Sequence, residues 1–370
     1  MKTQAAVLWS MGDPWKIEEI ELDPPKRNEV LVRMVGSGMC HSDEHLRTGD
    51  LPGAYPIIGG HEGAGVVEEV GEGVDDLAPG DHVVFGFIAA CGTCPSCARG
   101  HSNLCDMGAQ LLMGLQADGT VRHHASDGTD LPTMVCLGTF ARHTVVNRAS
   151  CVKVLDHYPL DKACLVGCGA TTGWGSAVYA AGVRPGDDVA VIGVGGLGAA
   201  AIQGARLAGA ERVFAVDPVE FKREMASTFG ATHTASSIDE ALPQITEVTW
   251  GKGADKVICT MGVGDGALME QIMQLTAKGG RVVVTNIHPA AETTVNISMT
   301  WFTLFEKQLV GTVFGSANFR YDIPHLLRLY DQGQLDLDSM VTRTYPLEEI
   351  NQGYADMLDG RNIRGVLVFD

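Results

Sequence analysis

A surplus of basic residues is the first thing this sequence lacks. Lys and Arg number 27 against 45 Asp and Glu, for a formal charge of −18. A nucleic-acid or anionic-membrane surface needs a basic face, so this balance argues against both. Long apolar runs are missing too. The longest, residues 189–202, has 14 residues of which four are Gly, too short and too flexible for a membrane span. Residues 1–10 offer only Ala5-Ala6-Val7-Leu8, too little for the apolar stretch of a secretory signal. No internal repeat and no low-complexity tract is found. What is left reads as a cytoplasmic chain of 370 residues, long enough for two domains.

Cysteine is not scarce, but a disulfide framework is not the reading. In a chain of this size without a signal segment, ten Cys point to metal ligation or buried thiols. Six are assigned to metal. Cys91, Cys94, Cys97 and Cys105 have the spacing C-x2-C-x2-C-x7-C. Four thiolates so close can surround zinc as a closed tetrahedral site, and Gly92, Thr93, Pro95 and Ser96 let the chain turn around it. An iron–sulfur cluster or two disulfides are the alternatives. Ferredoxin-type runs need other spacings, and a reducing cytosol favours metal over bridges. The second set is Cys40, His61 and Cys168. Two thiolates and one imidazole leave a fourth tetrahedral position open, the pattern of a catalytic zinc. Cys136, Cys151, Cys164 and Cys259 remain as small buried apolar residues.

The texture changes along the chain. Up to about residue 90, short strand-like runs such as 29–35, 65–70 and 81–85 suggest a small barrel or sandwich. From about 106 to 140 little is periodic, and His123-His124 reads as part of a solvated surface excursion. Beyond residue 168, strands at 189–192, 212–216, 256–260 and 281–284 alternate with helical stretches, which means a parallel sheet covered on both faces. Gly193-Val194-Gly195-Gly196-Leu197-Gly198 follows the first of these strands and opens a helix, and Asp217 ends the second strand. That context makes the motif a dinucleotide fingerprint. Gly193 turns tightly, Gly195 admits the pyrophosphate, and Gly198 lets helix meet strand. The helix start, Gly196 and Leu197 included, offers free N–H groups to phosphate. Asp217, 19 residues after Gly198, suits ribose hydroxyls and would repel a 2′-phosphate, which favours NAD over NADP.

Taken together, Cys40-His41-Ser42-Asp43-Glu44-His45, Gly59-Gly60-His61-Glu62-Gly63, the four-cysteine lobe, Gly167-Cys168-Gly169 and the fingerprint resemble the zinc-dependent medium-chain alcohol dehydrogenases over nearly the whole chain. Within that family, Leu22-Asp23-Pro24-Pro25, Val216-Asp217-Pro218 and Asp359-Gly360-Arg361-Asn362 look most like the nicotinoprotein, or N,N-dimethyl-4-nitrosoaniline-dependent, members. The resemblance implies an α/β architecture. A GroES-like β-barrel catalytic domain would span 1–169 and 312–370, with the zinc lobe at 91–105. A Rossmann domain, a doubly wound parallel sheet, would span 170–311.

It also implies two zinc ions and one NAD per chain, and interconversion of a primary or secondary alcohol with its aldehyde or ketone. In the nicotinoproteins NAD stays bound and an external acceptor, thought to be mycofactocin, reoxidises it. A homodimer or homotetramer is implied. Ser42 maps to the group that takes the alcohol proton, and His45 to the relay near solvent. Asp43 maps to the carboxylate that orients His61. Glu62 maps to a carboxylate near the catalytic zinc that approaches it during ligand exchange rather than as a fixed ligand. His41, Arg364, Lys222 and Thr172 map to cofactor contacts, Phe87 and Ile287 to the substrate pocket wall. His41 stands where the family often has Arg, which weakens that charge contact. A thiol-dependent formaldehyde dehydrogenase of the same superfamily, a zinc-free quinone reductase-like relative and a non-enzymatic NAD-binding protein are the competing readings.

Overall fold

The computed structural model describes residues 1–370, which divide into two compact units. The first comprises 1–168, 318–359 and 364–370; the second comprises 169–317 and 360–363. Residues 169, 312–317 and 360–363 therefore belong with the second unit, whereas the sequence assigns them to the first. The reason is packing. A Cβ on Gly315 would sit 2.4 Å from Thr172 O, and one on Gly360 would sit 3.0 Å from Val219.

The first unit is built on two sheets. The larger has seven strands. Its path runs Val341–Tyr345, Arg364–Val368, Glu29–Gly38, Gly63–Val70, His82–Phe85 and Cys151–Val154, with His143–Asn147 paired to Glu29–Gly38. The smaller sheet runs Ile57–Ile58, Lys2–Leu8, Lys16–Leu22 and His123–His124. Alternation of apolar and polar residues decides which face is covered. In Lys2–Leu8 the residues Ala5 to Leu8 are all buried, because this strand lies inside its sheet with a layer on each side. Val30, Val32, Met34, Phe85 and Phe140 meet in the main core of this unit with Trp15, whose ring packs edge-on to Phe140 at 5.6 Å.

The second unit has one sheet of six parallel strands in the order His233–Ala235, Arg212–Val216, Asp188–Ile192, Ala254–Cys259, Thr276–Val284 and Gln308–Gly311. Asp188–Ile192 is wholly buried, as a continuous apolar run at the centre of such a sheet must be. Its order reverses between Asp188–Ile192 and Ala254–Cys259, which makes that place the switch point. Helix Gly169–Gly175 crosses helix Gly196–Leu207 closely. A Cβ on Gly173 would lie 2.2 Å from Leu197 O, so the small residues of this stretch serve helix contact. No helix is long and apolar enough to cross a membrane.

His123 and His124 are corrected by the structure. They form a two-residue strand paired with Glu21 and Leu22, and His123 is 2 % exposed. The surrounding stretch carries Arg122, whose guanidinium is buried and held by Glu29 at 2.5 and 2.8 Å and by Asp118 at 2.9 Å.

Candidate active site and nucleotide site

The local chain conformation brings Cys40, His61 and Cys168 together although they lie far apart in sequence. Cys40 ends the loop after strand Glu29–Gly38 and caps helix His41–Thr48. His61 follows Gly60, whose φ of 88° requires glycine, and lies two residues before the start of strand Gly63–Val70. Cys168 lies at the end of a 3-10 turn, Cys164–Gly167. The two sulfurs and one imidazole nitrogen are all within 4.8 Å of one another, and all three residues are buried.

The donor set fits a cation. The Cys40 thiol is drawn well below its ordinary value, first by the hydrogen bond with Cys168 and then by His61, although burial opposes this. Burial works against a charged His61, yet Asp43 and Cys40 outweigh it and raise the imidazole to about 10. A thiolate that draws a proton onto its neighbour in a dry pocket wants positive charge at the centre of the cluster. Asp43 also fixes the ring. Its carboxylate oxygens lie 3.3 and 3.4 Å from His61 Nδ1, which would leave Nε2 as the nitrogen to ligate a metal, and Oδ1 accepts the Gly60 N–H at 2.8 Å.

Glu62 is fully buried and paired with the guanidinium of Arg364, itself 5 % exposed. It is not part of the metal cluster. Arg364, mapped on the sequence to the pyrophosphate, has its charge taken up by this carboxylate. Gly38 makes room for the pair, because a Cβ there would lie 2.3 Å from Glu62 Oε2.

Ser42 and His45 sit on helix His41–Thr48, three residues apart and so on neighbouring positions of one face. The Ser42 hydroxyl is 3.6 Å from Cys40 Sγ. His45 is 1 % exposed rather than near solvent. Its Nδ1 faces Asp50 Oδ2 at 3.1 Å, and that carboxylate, also bound by the Thr48 hydroxyl at 2.7 Å, is the group that reaches water. Thr48 first and then His45 hold Asp50 below the usual carboxylate range. Sequence reasoning missed Asp50; an acid just past the turn Gly49 that closes the helix is the one signal for it. It also missed Tyr354, whose buried phenol is pushed well up by burial and by Asp43 and Cys40. His41 lies half-buried at the helix start, its ring 5.8 Å from that of His45. Phe87 packs edge-on to the His61 ring at 5.8 Å.

In the four-cysteine lobe all four sulfurs are likewise within 4.8 Å of one another. Backbone amides converge on them. Cys91 Sγ accepts from Cys94 N at 3.2 Å and Thr93 N at 3.4 Å, and Cys105 Sγ accepts from Cys91 N at 3.3 Å. These N–H groups, Thr93 first, lower Cys91 to about 6. Amides stabilising thiolates around a closed tetrahedron are the preparation a structural zinc needs. All ten cysteines are free thiols, and Cys136, Cys151, Cys164 and Cys259 are buried, with burial pushing each thiol up.

The fingerprint of the second unit has the geometry its glycines require. Gly193 has φ 95°, and a Cβ there would strike Met261 N at 2.8 Å. Gly195 caps helix Gly196–Leu207 and has open space around it. A Cβ on Gly198 would lie 2.0 Å from Gly193 O. Asp217 is buried, and its two oxygens accept Val194 N at 2.7 Å and Val219 N at 2.9 Å, so it binds the fingerprint turn to the turn after its own strand. Thr172 Oγ1 is buried with no partner in the protein, which fits a ligand contact at that point. Lys222 lies on helix Glu220–Thr228, its Cε 3.7 Å from where a Gly360 Cβ would stand. Ile287 is half-buried and its carbonyl accepts Gly264 N at 2.7 Å.

Comparison with known proteins follows the same division. Residues 26–156 match the alcohol dehydrogenase GroES-like domain, and residues 196–332 match the zinc-binding dehydrogenase domain. The chain is 54% identical over 369 residues to alcohol dehydrogenase B of Mycobacterium tuberculosis, covering 99% of this chain and 98% of that one. It is 53% identical over 368 residues to the NDMA-dependent alcohol dehydrogenase of Amycolatopsis methanolica, covering 100% and 99%. Among solved structures, an alcohol dehydrogenase zinc-binding domain protein from Burkholderia ambifaria superposes with a TM-score of 0.93 at 34% identity, covering 100% of this chain and 99% of that one. With the metal-ligand cluster, the cysteine lobe and the nucleotide fingerprint all in place, the chain belongs to the zinc-dependent medium-chain alcohol dehydrogenases.

Proposed function

We propose that this enzyme oxidises a primary or secondary alcohol to its aldehyde or ketone, or the reverse, with an NAD that stays bound between turnovers. The observation that carries the reading is the buried Cys40–His61–Cys168 set, which offers three ligands, the number a catalytic zinc takes from its protein. Bound zinc supplies Lewis acidity at the alcohol oxygen, and bound NAD supplies the hydride acceptor. The chain does the rest. Ser42 accepts the alcohol proton at Oγ. His45, one helical turn on, passes it toward Asp50 and water. Asp43 holds His61 in its ligating orientation, and the Glu62–Arg364 pair keeps a second carboxylate neutralised beside the cluster. Phe87, edge-on to the His61 ring, is assigned to the apolar wall for the substrate carbon, a role that the resemblance also implies for Ile287. Gly193, Gly195 and the amides opening helix Gly196–Leu207 would receive the pyrophosphate, Asp217 and Lys222 the adenosine ribose, and Thr172 a further part of the cofactor; His41 keeps the cofactor role that the resemblance implies, while Arg364 is committed to Glu62.

The 53% identity to an NDMA-dependent relative supports retention of NAD and its reoxidation in place by an external acceptor, with mycofactocin the physiological candidate. Ten reduced thiols suit a cytoplasmic enzyme. The edge strand Gln308–Gly311 and helix Met299–Leu304, which exposes Met299, Trp301 and Leu304, support a homo-oligomer, because an open sheet edge beside apolar surface is a pairing face. The test is turnover of an alcohol with N,N-dimethyl-4-nitrosoaniline and no added NAD, beside the ultraviolet spectrum of extensively dialysed protein. Dye reduction with a persistent reduced-nicotinamide band is expected. Strict dependence on added NAD would refute retention. Activity with formaldehyde only in the presence of a thiol would replace the substrate reading.

A further inference from the structure

The segments that follow two neighbouring strands of the parallel sheet are joined by contacts that the proposed reaction does not use. Strand Ala254–Cys259 leads into residues 260–268, and strand Thr276–Val284 into residues 285–298. The first segment begins against the fingerprint turn: Thr260 Oγ1 donates to Gly193 O at 2.7 Å. Further out it carries Gly264 and Gly266. A Cβ on Gly264 would lie 2.3 Å from His288 Cδ2 and 2.5 Å from Asn286 Nδ2. One on Gly266 would lie 2.8 Å from Glu292 Oε1 and 2.8 Å from Thr294 O. Neither glycine has a positive φ, so each is needed for space and not for its backbone angles. The second segment lies directly on them.

Glu292 joins the two segments. Its Oε1 accepts Gly266 N at 2.8 Å, and its Oε2 accepts His288 Nδ1 at 2.5 Å. Gly264 N donates to Ile287 O at 2.7 Å. The second segment is also pinned at both ends. The Thr285 and Ser176 hydroxyls are 2.8 Å apart, and Ser298 N donates to Glu270 Oε2 at 2.8 Å.

Ligands of an open parallel sheet bind outside the carboxyl ends of the strands where strand order reverses. Both segments leave from that edge, on one side of the reversal, and the fingerprint helix leaves from the other. We propose that the clip of Glu292 and His288 on Gly264 and Gly266 is the latch that sets how slowly the dinucleotide leaves. This rests on the reading of a cofactor retained between turnovers. For the groove to widen on this side, the segments must part, and Glu292 must give up a charge-assisted bond and an amide bond together.

The test is the rate of NADH release from the holoenzyme into excess NAD+, followed by loss of protein-bound nicotinamide fluorescence. Glu292→Ala removes both bonds, and release about 10- to 100-fold faster than wild type is expected. Glu292→Gln keeps an acceptor for Gly266 and loses the charge, so it falls between. Zinc content should stay near wild type in both, and the unfolding midpoint should stay near wild type in Glu292→Gln, which keeps an acceptor for the Gly266 amide. If Glu292→Ala does not fold, Glu292→Gln and His288→Asn carry the comparison, each faster by roughly threefold or more. Equal release rates in the variants and wild type overturn the latch. Should wild type lose its cofactor on dialysis, the retention reading falls, and the latch is then judged on the same ratio of rates with NADH added back.

Discussion

Replacing Asp43 with Asn removes one charge and leaves an acceptor for the Gly60 amide. Replacing it with Ala removes both. The pair separates two roles that one carboxylate performs: it accepts Gly60 N at 2.8 Å, and it faces His61 Nδ1 at 3.3 Å. Loss of a group that orients a metal-ligating imidazole costs about 10- to 100-fold in metal affinity, or roughly 1.4 to 2.7 kcal/mol. A buried N–H left without an acceptor costs about 1–3 kcal/mol of stability. Asp43→Asn should therefore lose zinc to a chelator about 10-fold more readily while its unfolding midpoint hardly moves. Asp43→Ala should add a stability loss of about 1–3 kcal/mol from the stranded Gly60 amide. The assays are chelator competition with metal analysis and urea unfolding. Unchanged chelator resistance in Asp43→Asn would refute the orienting role, and a large stability loss in that variant would mean that the charge itself holds the loop.

Cys40→Ala should abolish turnover and leave NAD binding largely intact, since the fingerprint and Asp217 that hold most of the cofactor lie on other elements; equal loss of both, by activity and cofactor titration, would count against the assigned roles. Asp217→Ala should relax preference toward NADP and also loosen the fingerprint turn through the freed Val194 and Val219 amides, read as a change in the ratio of the two cofactors' kcat/KM. Cys94→Ser should reduce the zinc content from two ions to one while the Cys40 cluster stays loaded, as metal analysis would report. His123 is held down to about 3, by burial first and then by His124, so the unfolded chain binds a proton there that the folded chain refuses. Its contribution to stability is therefore intact above the unfolded value of about 6.5 and is lost as pH falls from there toward 3, at up to about 1.4 kcal/mol per unit. His123→Phe should flatten that slope, and an unchanged acid limb in unfolding experiments at pH 7 and pH 5 would refute the assignment.

The second unit was largely legible in the sequence because its signals are local. The strand read at 212–216 is the strand observed, and Asp188–Ile192 extends its reading by one residue. Continuous apolar runs between glycines leave few alternatives when a sheet is covered on both faces. Both cysteine sets were legible for a different reason: thiols and imidazoles in those patterns are hard to explain without a metal. What stayed hidden depends on partners remote in the chain. His123-His124 forms a strand too short to show a period, and its partner Lys16–Leu22 lies about a hundred residues earlier. The burial of His45 follows from helix His41–Thr48, whose eight residues mix both charges and hide which face is covered. Arg364 pairs with Glu62 across almost the whole chain, and nothing near either residue announces the other.

That pairing ties the metal-ligand segment to the last strand of the chain. Every ligand of the catalytic cluster lies within the first 168 residues, yet Cys40 follows a strand end that the last strand holds, with Met39 N donating to Gly365 O at 2.9 Å. Glu62, adjacent to His61 and fully enclosed, acquires its counter-charge only with strand Arg364–Val368, which pairs with Glu29–Gly38 after translation has reached the last strand. Until then an uncompensated carboxylate sits next to a ligand in a pocket that cannot close around it. A chain cut short before strand Arg364–Val368 should therefore hold zinc less tightly than the full chain, as chelator competition would report.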